Sequence, residues 1–338
     1  MRALELQGFN GPASLQVVDR PLPEPGAGEV RVRLKASALN HLDVFVSRGL
    51  PKRALPGVPG ADGAGTVEAV GADVDESNIG REVVLYPMRT CGVCPACQAG
   101  QEVHCPKMAI LGEQVDGTLQ EAVVVPSTSL FDKPVHLTSE QAAALPLAWL
   151  TAWRLLFTRG GLKAGDSLVL VGIGGGVATA CLLLARAHGL RVFATSREAA
   201  KRQRALDLGA EAAFPSDGFS GQVRQATDGR GATAVVDSVG PATIDESFRS
   251  LAREGVLLTM GATAGPKVEL NLARLWFKHQ SLVTSTMGNR SEFGAMLHDV
   301  QAYALVPPVD SVVSLEQAPS AFERLEAGEQ FGKVILVP

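Results

Sequence analysis

Short apolar runs broken by glycine and proline open the chain. VRVRL from Val30 and GTVEAV from Gly65 alternate with a period of two, which predicts half-buried strands in a compact β-rich domain with tight turns. EAVVVP from Glu121 predicts another strand, and Ser139-Glu140-Gln141-Ala142 the capped start of a linking helix. From Gly165 the pattern changes. SLVLVG is a continuous apolar run suited to a buried strand, and a glycine cluster follows it. VATACLLLARAHG is helix-like and RVFATS strand-like, so the stretch is a βαβ unit. The alternation continues through ALDLGA, AVVDSVG, SFRSLAREG and VLLTMGA, as a parallel sheet with crossover helices requires. The last fifty or so residues give a short helix, VDSVVSL as a strand, APSAFERLEAGE as a helix and KVILVP as a closing strand expected to pair with the first domain. These runs predict a β-rich domain over 1–148 and 286–338 and a doubly wound α/β domain over 149–285.

Composition narrows the function classes. The chain has 338 residues, 46% of them hydrophobic, enough for two cores. A formal net charge of -4 with no basic tract gives no field to gather nucleic acid or an anionic membrane. MRALELQGFNGPASL lacks a basic-then-apolar leader and no apolar run reaches the ~20 residues of a membrane span, so a cytoplasmic location is expected.

Four of the five cysteines stand together as Cys91-x-x-Cys94-x-x-Cys97 and Cys105. That spacing reads as a four-thiolate zinc site, with Gly92, Pro95 and Gly100 allowing the backbone to wrap the ion within a lobe over 88–108. Four sulfurs leave no position for water or substrate, so the one zinc is expected to be structural. Two disulfides or four free thiols are the alternatives.

Gly172-Ile173-Gly174-Gly175-Gly176-Val177-Ala178 lies between a predicted strand and helix, where small residues let a pyrophosphate approach a helix N-terminus. Val177 breaks the strict G-x-G-x-x-G, and glycine loops also serve packing alone. About twenty residues on, where an acid would hold a ribose 2′-hydroxyl, the chain reads Thr195-Ser196-Arg197, with Lys201 and Arg202 following. A hydroxyl and cations suit a 2′-phosphate, so NADPH is expected over NADH; the same residues also suit a solvated helix start.

With these residues assembled, the chain resembles the medium-chain dehydrogenase/reductase superfamily of zinc alcohol dehydrogenases and quinone reductases. The resemblance rests on the cysteine lobe, Pro59-Gly60-Ala61-Asp62-Gly63-Ala64-Gly65, Leu150-Thr151-Ala152-Trp153, the glycine loop and Phe331-Gly332-Lys333-Val334. It implies a GroES-like catalytic domain with a Rossmann domain inserted into it. It further implies Asn40 beside the nicotinamide ribose or substrate oxygen, Thr151 at the nicotinamide, His41 and Lys333 as basic contacts to the cofactor, Gly261 near it, and Tyr86 as a wall of the substrate pocket. The family's dimers or tetramers form through edge strands, to which VELNLARLWFKHQSLVTSTMG could contribute.

The departures from the family pattern decide the chemistry. The catalytic-zinc ligands of the alcohol dehydrogenases fall on Asn40, Ala61 and Leu147, and their proton relay on Leu42 and Phe45. Only Asp43 and Asp62 remain as acids, expected to form hydrogen-bonded or ionic structure with arginines such as Arg48 or Arg53; an unorthodox metal held by the two carboxylates is the alternative. A metal lowers the pKa of a bound oxygen acid from near 16 to near 7, on the order of 10 kcal/mol, and no residue here replaces that. A quinone or α,β-unsaturated carbonyl accepts hydride at carbon and needs only hydrogen-bond donors. The expectation is therefore NADPH-dependent reduction of a quinone or enone without a catalytic zinc. A zinc-dependent alcohol dehydrogenase, a non-catalytic NADPH-binding protein and an acyl-thioester reductase are the other readings. The last would call for a basic groove that the sequence does not reveal.

Overall fold

The computed structural model describes residues 1–338 and resolves into two compact units, Met1–Leu150 with Gly288–Pro338, and Thr151–Met287. The sequence pattern puts these divisions at 148/149 and 285/286. No helix is long and apolar enough to cross a membrane.

The first unit is built on a seven-stranded sheet. Its main path runs Val309–Ser314, Lys333–Val337, Glu29–Ala38, Asp62–Val70, Glu82–Leu85 and Leu130–Asp132, with Ala122–Pro126 also paired to Glu29–Ala38. Alternation explains the central strand. Val30, Val32 and Leu34 point into a core with Val67, Val83, Leu85, Val123 and Val125. Arg31 and Arg33 point out and share Glu68, with Nε–O distances of 2.5 and 2.9 Å. The closing strand KVILVP pairs antiparallel with this strand, Ile335 opposite Ala38, and parallel with Val309–Ser314. Ala38 in turn lies opposite Asp62. Three segments far apart in sequence thus meet just beyond Ala38.

The second unit is a six-stranded parallel sheet in the order Ala212–Phe214, Arg191–Thr195, Ser167–Val171, Ala232–Asp237, Leu251–Thr259, Ser281–Thr284. All five residues of SLVLV are buried, as a strand covered on both faces demands. The order in which strands are added reverses between the parallel neighbours Ser167–Val171 and Ala232–Asp237, the switch point at which a doubly wound sheet offers its binding crevice.

Local details differ from the pattern reading. Thr138, not Ser139, caps the linking helix, exchanging bonds with Gln141 in a capping box (3.0 and 3.3 Å). That helix covers only Ser139–Ala143 before Pro146 starts another, Pro146–Trp153, which continues into a wider coil over Arg154–Arg159. SFRSLAREG divides between the helix Ile244–Ser250 and the strand beginning at Leu251. VELNLARLWFKHQSLVTSTMG supplies a helix, Leu272–Lys278, and the edge strand Ser281–Thr284; Leu272, Trp276 and Phe277 are exposed rather than in the core.

Candidate active site and metal centre

The four lobe cysteines converge so that all their sulfurs lie within 4.8 Å of one another. Cys105 Sγ is 3.6 Å from Cys91 Sγ, which is 3.9 Å from Cys97 Sγ. Four sulfurs at ~2.3 Å from one ion stand about 3.8 Å apart at the edges of a tetrahedron, whereas a disulfide is about 2.05 Å. The donor set therefore fits zinc and excludes disulfides. Gly92 and Gly100 take positive φ values of 72° and 67°, and Cys94 precedes the short helix Pro95–Gln98, which lets the chain circle the site. Backbone N–H groups of Cys91 and Lys107 point at Cys105 Sγ from 3.5 and 3.4 Å. Hydrogen bonds from Val93 and Cys94 backbone N–H lower the Cys91 thiol to about 6. Burial followed by Cys94 raises Cys97 to about 11.

In the second unit the glycine loop follows Val171 directly. Gly172 and Gly174 have φ of 75° and 130°, values that disfavour any side chain, and a Cβ at Gly175 would meet nothing within 4 Å, so the loop faces open space at that position. Gly175 caps the helix Gly176–Ala187, whose first turn carries Val177 and Ala178 and is tied back by Thr179 Oγ1 to the carbonyls of Gly175 and Gly176 (3.1 and 3.0 Å). Thr195 anchors the loop, accepting from Gly172 N (3.2 Å) at its hydroxyl and from Ile173 N (2.8 Å) at its carbonyl. Sequence pattern alone did not single out that anchoring role. Beyond it Ser196 is buried and Arg197 exposed. Lys201 is buried and bridged to Glu198 at 2.8 Å, and Arg202 donates to the carbonyls of Ser196 and Arg197 (2.7 and 3.1 Å). Arg197 is thus the exposed cation of the set. Gly261 is exposed just past the strand Leu251–Thr259, and Thr151 is buried in the helix Pro146–Trp153.

The first unit holds a buried polar cluster just beyond Ala38, where the three segments meet. Lys333 Nζ donates to Asn40 Oδ1 (2.7 Å) and Asp62 Oδ2 (2.8 Å). Asn40 Nδ2 donates to Asp62 Oδ2 (2.9 Å), and the backbone N–H of Leu147 to Asp62 Oδ1 (2.7 Å). Asp43 accepts from the backbone N–H of Asn40 (2.8 Å) and of Gly60 (2.9 Å). Asn40, Asp43, Asp62 and Lys333 are at most 7% exposed. Asn40 has one carbonyl and two amide protons; Lys333 takes the carbonyl and Asp62 one proton, which leaves one N–H for a further acceptor.

Several expectations are corrected here. Asp43 and Asp62 do not pair with Arg48 or Arg53; Arg48 grips Glu326 (2.8 Å from Nε and Nη2) and Arg53 binds Asp116 at 3.0 Å. Lys333 is buried, and Asn40 and Asp62 take two of its three N–H bonds. His41, half-buried at the start of the helix His41–Ser47, is held below the usual imidazole range by burial and then by Lys333, against Glu326. Tyr86 is buried, donates to Gly288 O (2.8 Å) and packs on Phe293, so its phenol is committed to the core of the first unit. Of the positions matching the family's catalytic-zinc ligands, Asn40 is an amide and Ala61 and Leu147 are apolar. Both carboxylates beside them already have partners on each oxygen. These residues do not fit a second zinc.

One unit with a parallel sheet and a glycine loop at its switch point, and another, β-rich, with a four-cysteine lobe, together define an oxidoreductase of the dehydrogenase type. Family models agree: the alcohol dehydrogenase GroES-like domain matches residues 26–135 and the zinc-binding dehydrogenase domain residues 176–302. A zinc-type alcohol dehydrogenase-like protein of Schizosaccharomyces pombe is 30% identical over 98% of this chain and 96% of its own length. An acryloyl-coenzyme A reductase of Sulfurisphaera tokodaii is 27% identical over the full length of both. The crystal structure of an NAD-dependent alcohol dehydrogenase superposes with a TM-score of 0.97 at 41% identity, covering both chains completely. The chain belongs to the medium-chain dehydrogenase/reductase superfamily.

Proposed function

We propose that the protein is an NADPH-dependent reductase that delivers hydride to a quinone or α,β-unsaturated carbonyl, with one structural zinc in the cysteine lobe and no catalytic zinc. The observation that carries this reading is the Lys333–Asp62–Asn40 cluster. It joins Asn40, a position read as matching one of the family's catalytic-zinc ligands, and Asp62, next to another, to the Lys333 ammonium, all bonded to one another. The acryloyl-coenzyme A reductase supports it, since by its name that relative acts on an α,β-unsaturated thioester. Relatives named NAD-dependent alcohol dehydrogenases define the rival reading.

Bound nicotinamide would supply the hydride. The residues of this chain bind and orient. Gly172 to Ala178 would hold the pyrophosphate on backbone N–H groups, with Gly261 bordering the cofactor, and Ser196 and Arg197 the 2′-phosphate through charge-assisted bonds. Asn40 would direct its remaining N–H at the acceptor oxygen or the cofactor ribose, with Lys333 as the positioning residue that fixes the amide's rotation. Thr151 would border the nicotinamide. Aligning donor and acceptor can remove several kcal/mol of barrier without an acid or base at the reacting carbon. His41, neutral at pH 7, is a hydrogen-bonding contact and not a permanent charge. The exposed edge strand Ser281–Thr284, beside Trp276 and Phe277, is the surface through which a homodimer or homotetramer would form.

The test is cofactor oxidation with a para-quinone and a short enone. Acceptor-dependent oxidation preferring NADPH to NADH at least tenfold, and unaffected by chelators, is expected. NAD-linked alcohol oxidation abolished by chelation would instead establish the rival.

A further inference from the structure

We infer that the helical face of the second unit carries a binding site for a phosphate-bearing anion, separate from the glycine loop. The helices Phe219–Ala226, Ile244–Ser250 and Leu272–Lys278 cover one side of the parallel sheet. Phe219, Val223, Ile244 and Phe248 join a core with Val169, Val235 and Leu257, and Leu275 packs against it. Each helix shows outward a pair of polar residues one turn apart: Ser220 and Arg224, Asp245 and Arg249, Arg274 and Lys278. Ser220, Gly221, Arg224, Arg249, Arg274 and Lys278 line an open cavity of about 340 Å³.

Four cations and no acid line that cavity. One carboxylate, Asp245, bonds two of them, 2.7 Å from Arg249 Nε and 2.7 Å from Arg274 Nη1. Arg224 is fixed by the carbonyl of Arg249 (3.1 Å from Nε, 2.9 Å from Nη2), which brings no charge. Burial, and then the like charges of Arg224, Arg274 and Arg253, hold the Lys278 ammonium below the ordinary range. A helix C-terminus favours a nearby cation, which accounts for Arg224, Arg249 and Lys278 one at a time. It does not account for their convergence with Arg274 on one cavity of a chain whose net charge is -4. The excess favours a phosphate dianion, with planar guanidinium forks matched to its oxygens and a serine hydroxyl beside them. Asp245 and the Arg249 carbonyl hold three guanidiniums in place beforehand, so little side-chain freedom is lost on binding.

The position separates this site from the cofactor loop. Arg249 and Lys278 stand in the last turns of helices that lead into the N-terminal ends of Leu251–Thr259 and Ser281–Thr284, while the glycine loop follows the C-terminal end of Ser167–Val171. In a parallel sheet these are opposite edges. The phosphate could belong to a free nucleotide or to the carrier of a thioester, which share the chemistry recognised here.

The experiment is calorimetric titration of inorganic pyrophosphate into the full-length, zinc-loaded protein saturated with NADPH, repeated with saturating NADH, so that the glycine loop is filled in one or the other. One saturable event per chain is expected, weakened at least tenfold by Lys278→Gln and by Arg274→Gln and restored by Lys278→Arg, with kcat unchanged. Displacement of pyrophosphate by coenzyme A would support the site and name a thioester carrier as the source; displacement by ADP alone would support it and name a free nucleotide. The proposal is overturned by the absence of a saturable event, by equal weakening in the control Lys52→Gln, or by binding of heparin without binding of pyrophosphate.

Discussion

Lys333 is buried and hydrogen-bonded to one carboxylate, Asp62, and one amide, Asn40, so Asp62 is its direct ion-pair partner. Removing one member of such a buried pair strands the other without solvent, a loss of about 3–5 kcal/mol. Lys333→Met should therefore cost that order of stability in urea unfolding. Lys333→Met with Asp62→Asn should recover most of it, because neither member of the pair is left as an unpartnered charge and the Asn oxygen still accepts from Leu147 N; an equal cost in both variants would show that the pair is not the source. Asp43 behaves differently. Burial, with Asp62 adding to it, pushes its carboxyl to about 7 against the opposing N–H groups of Asn40 and Gly60 and the charge of Lys333. The folded chain then holds a proton that the unfolded chain has released, between its ordinary 3.8 and about 7. Stability from this group is present below the unfolded pKa and is lost as pH rises through that window, at ~1.4 kcal/mol per pH unit where the difference is complete. Urea unfolding at pH 5 and pH 8 should show wild type losing stability relative to Asp43→Asn over that rise; parallel behaviour of the two would contradict it.

The cysteine lobe and the glycine loop are the elements most legible in the sequence, since each packs its chemistry into a short segment whose spacing fixes its shape. Cys105→Ser should release the zinc, lower the Tm and leave kcat/KM of the remaining folded enzyme within a few-fold of wild type, because four thiolates leave no site for substrate. Metal analysis beside steady-state kinetics checks this, and a loss of turnover in proportion to zinc would assign the lobe a chemical role. At the end of Arg191–Thr195, only Arg197 of the expected cations stands exposed. Arg197→Ala should weaken NADPH binding about 10- to 100-fold, as one or two charge-assisted bonds imply, and leave NADH binding unchanged. Equal losses for both cofactors would remove the 2′-phosphate from the account. Lys201 was indistinguishable from Arg197 in the sequence, where nothing showed that Glu198 would bridge one and leave the other exposed.

Across the whole molecule, the fold class follows from pattern, because a period of two before Gly165 and alternating strands and helices after it leave few architectures open. The buried cluster does not. Lys333 is 293 residues from Asn40 and 271 from Asp62, and only the pairing of the closing strand with Glu29–Ala38, and of that strand with Asp62–Val70, brings them together. The sequence could count missing zinc ligands; it could not show what stands in their place. The basic cavity was hidden for the same reason, its cations being spread from Arg224 to Lys278 over three helices.

The measurement that bears most directly on this account is the zinc content of the purified, full-length protein, taken together with chelator sensitivity of NADPH-dependent turnover. One tightly held zinc per chain, lost in Cys105→Ser, with turnover indifferent to chelation, is the predicted result. Two zincs per chain, one of them removed by a chelator together with all activity, would mean that Asn40, Asp62 and Lys333 rearrange to admit a metal, and would contradict the account.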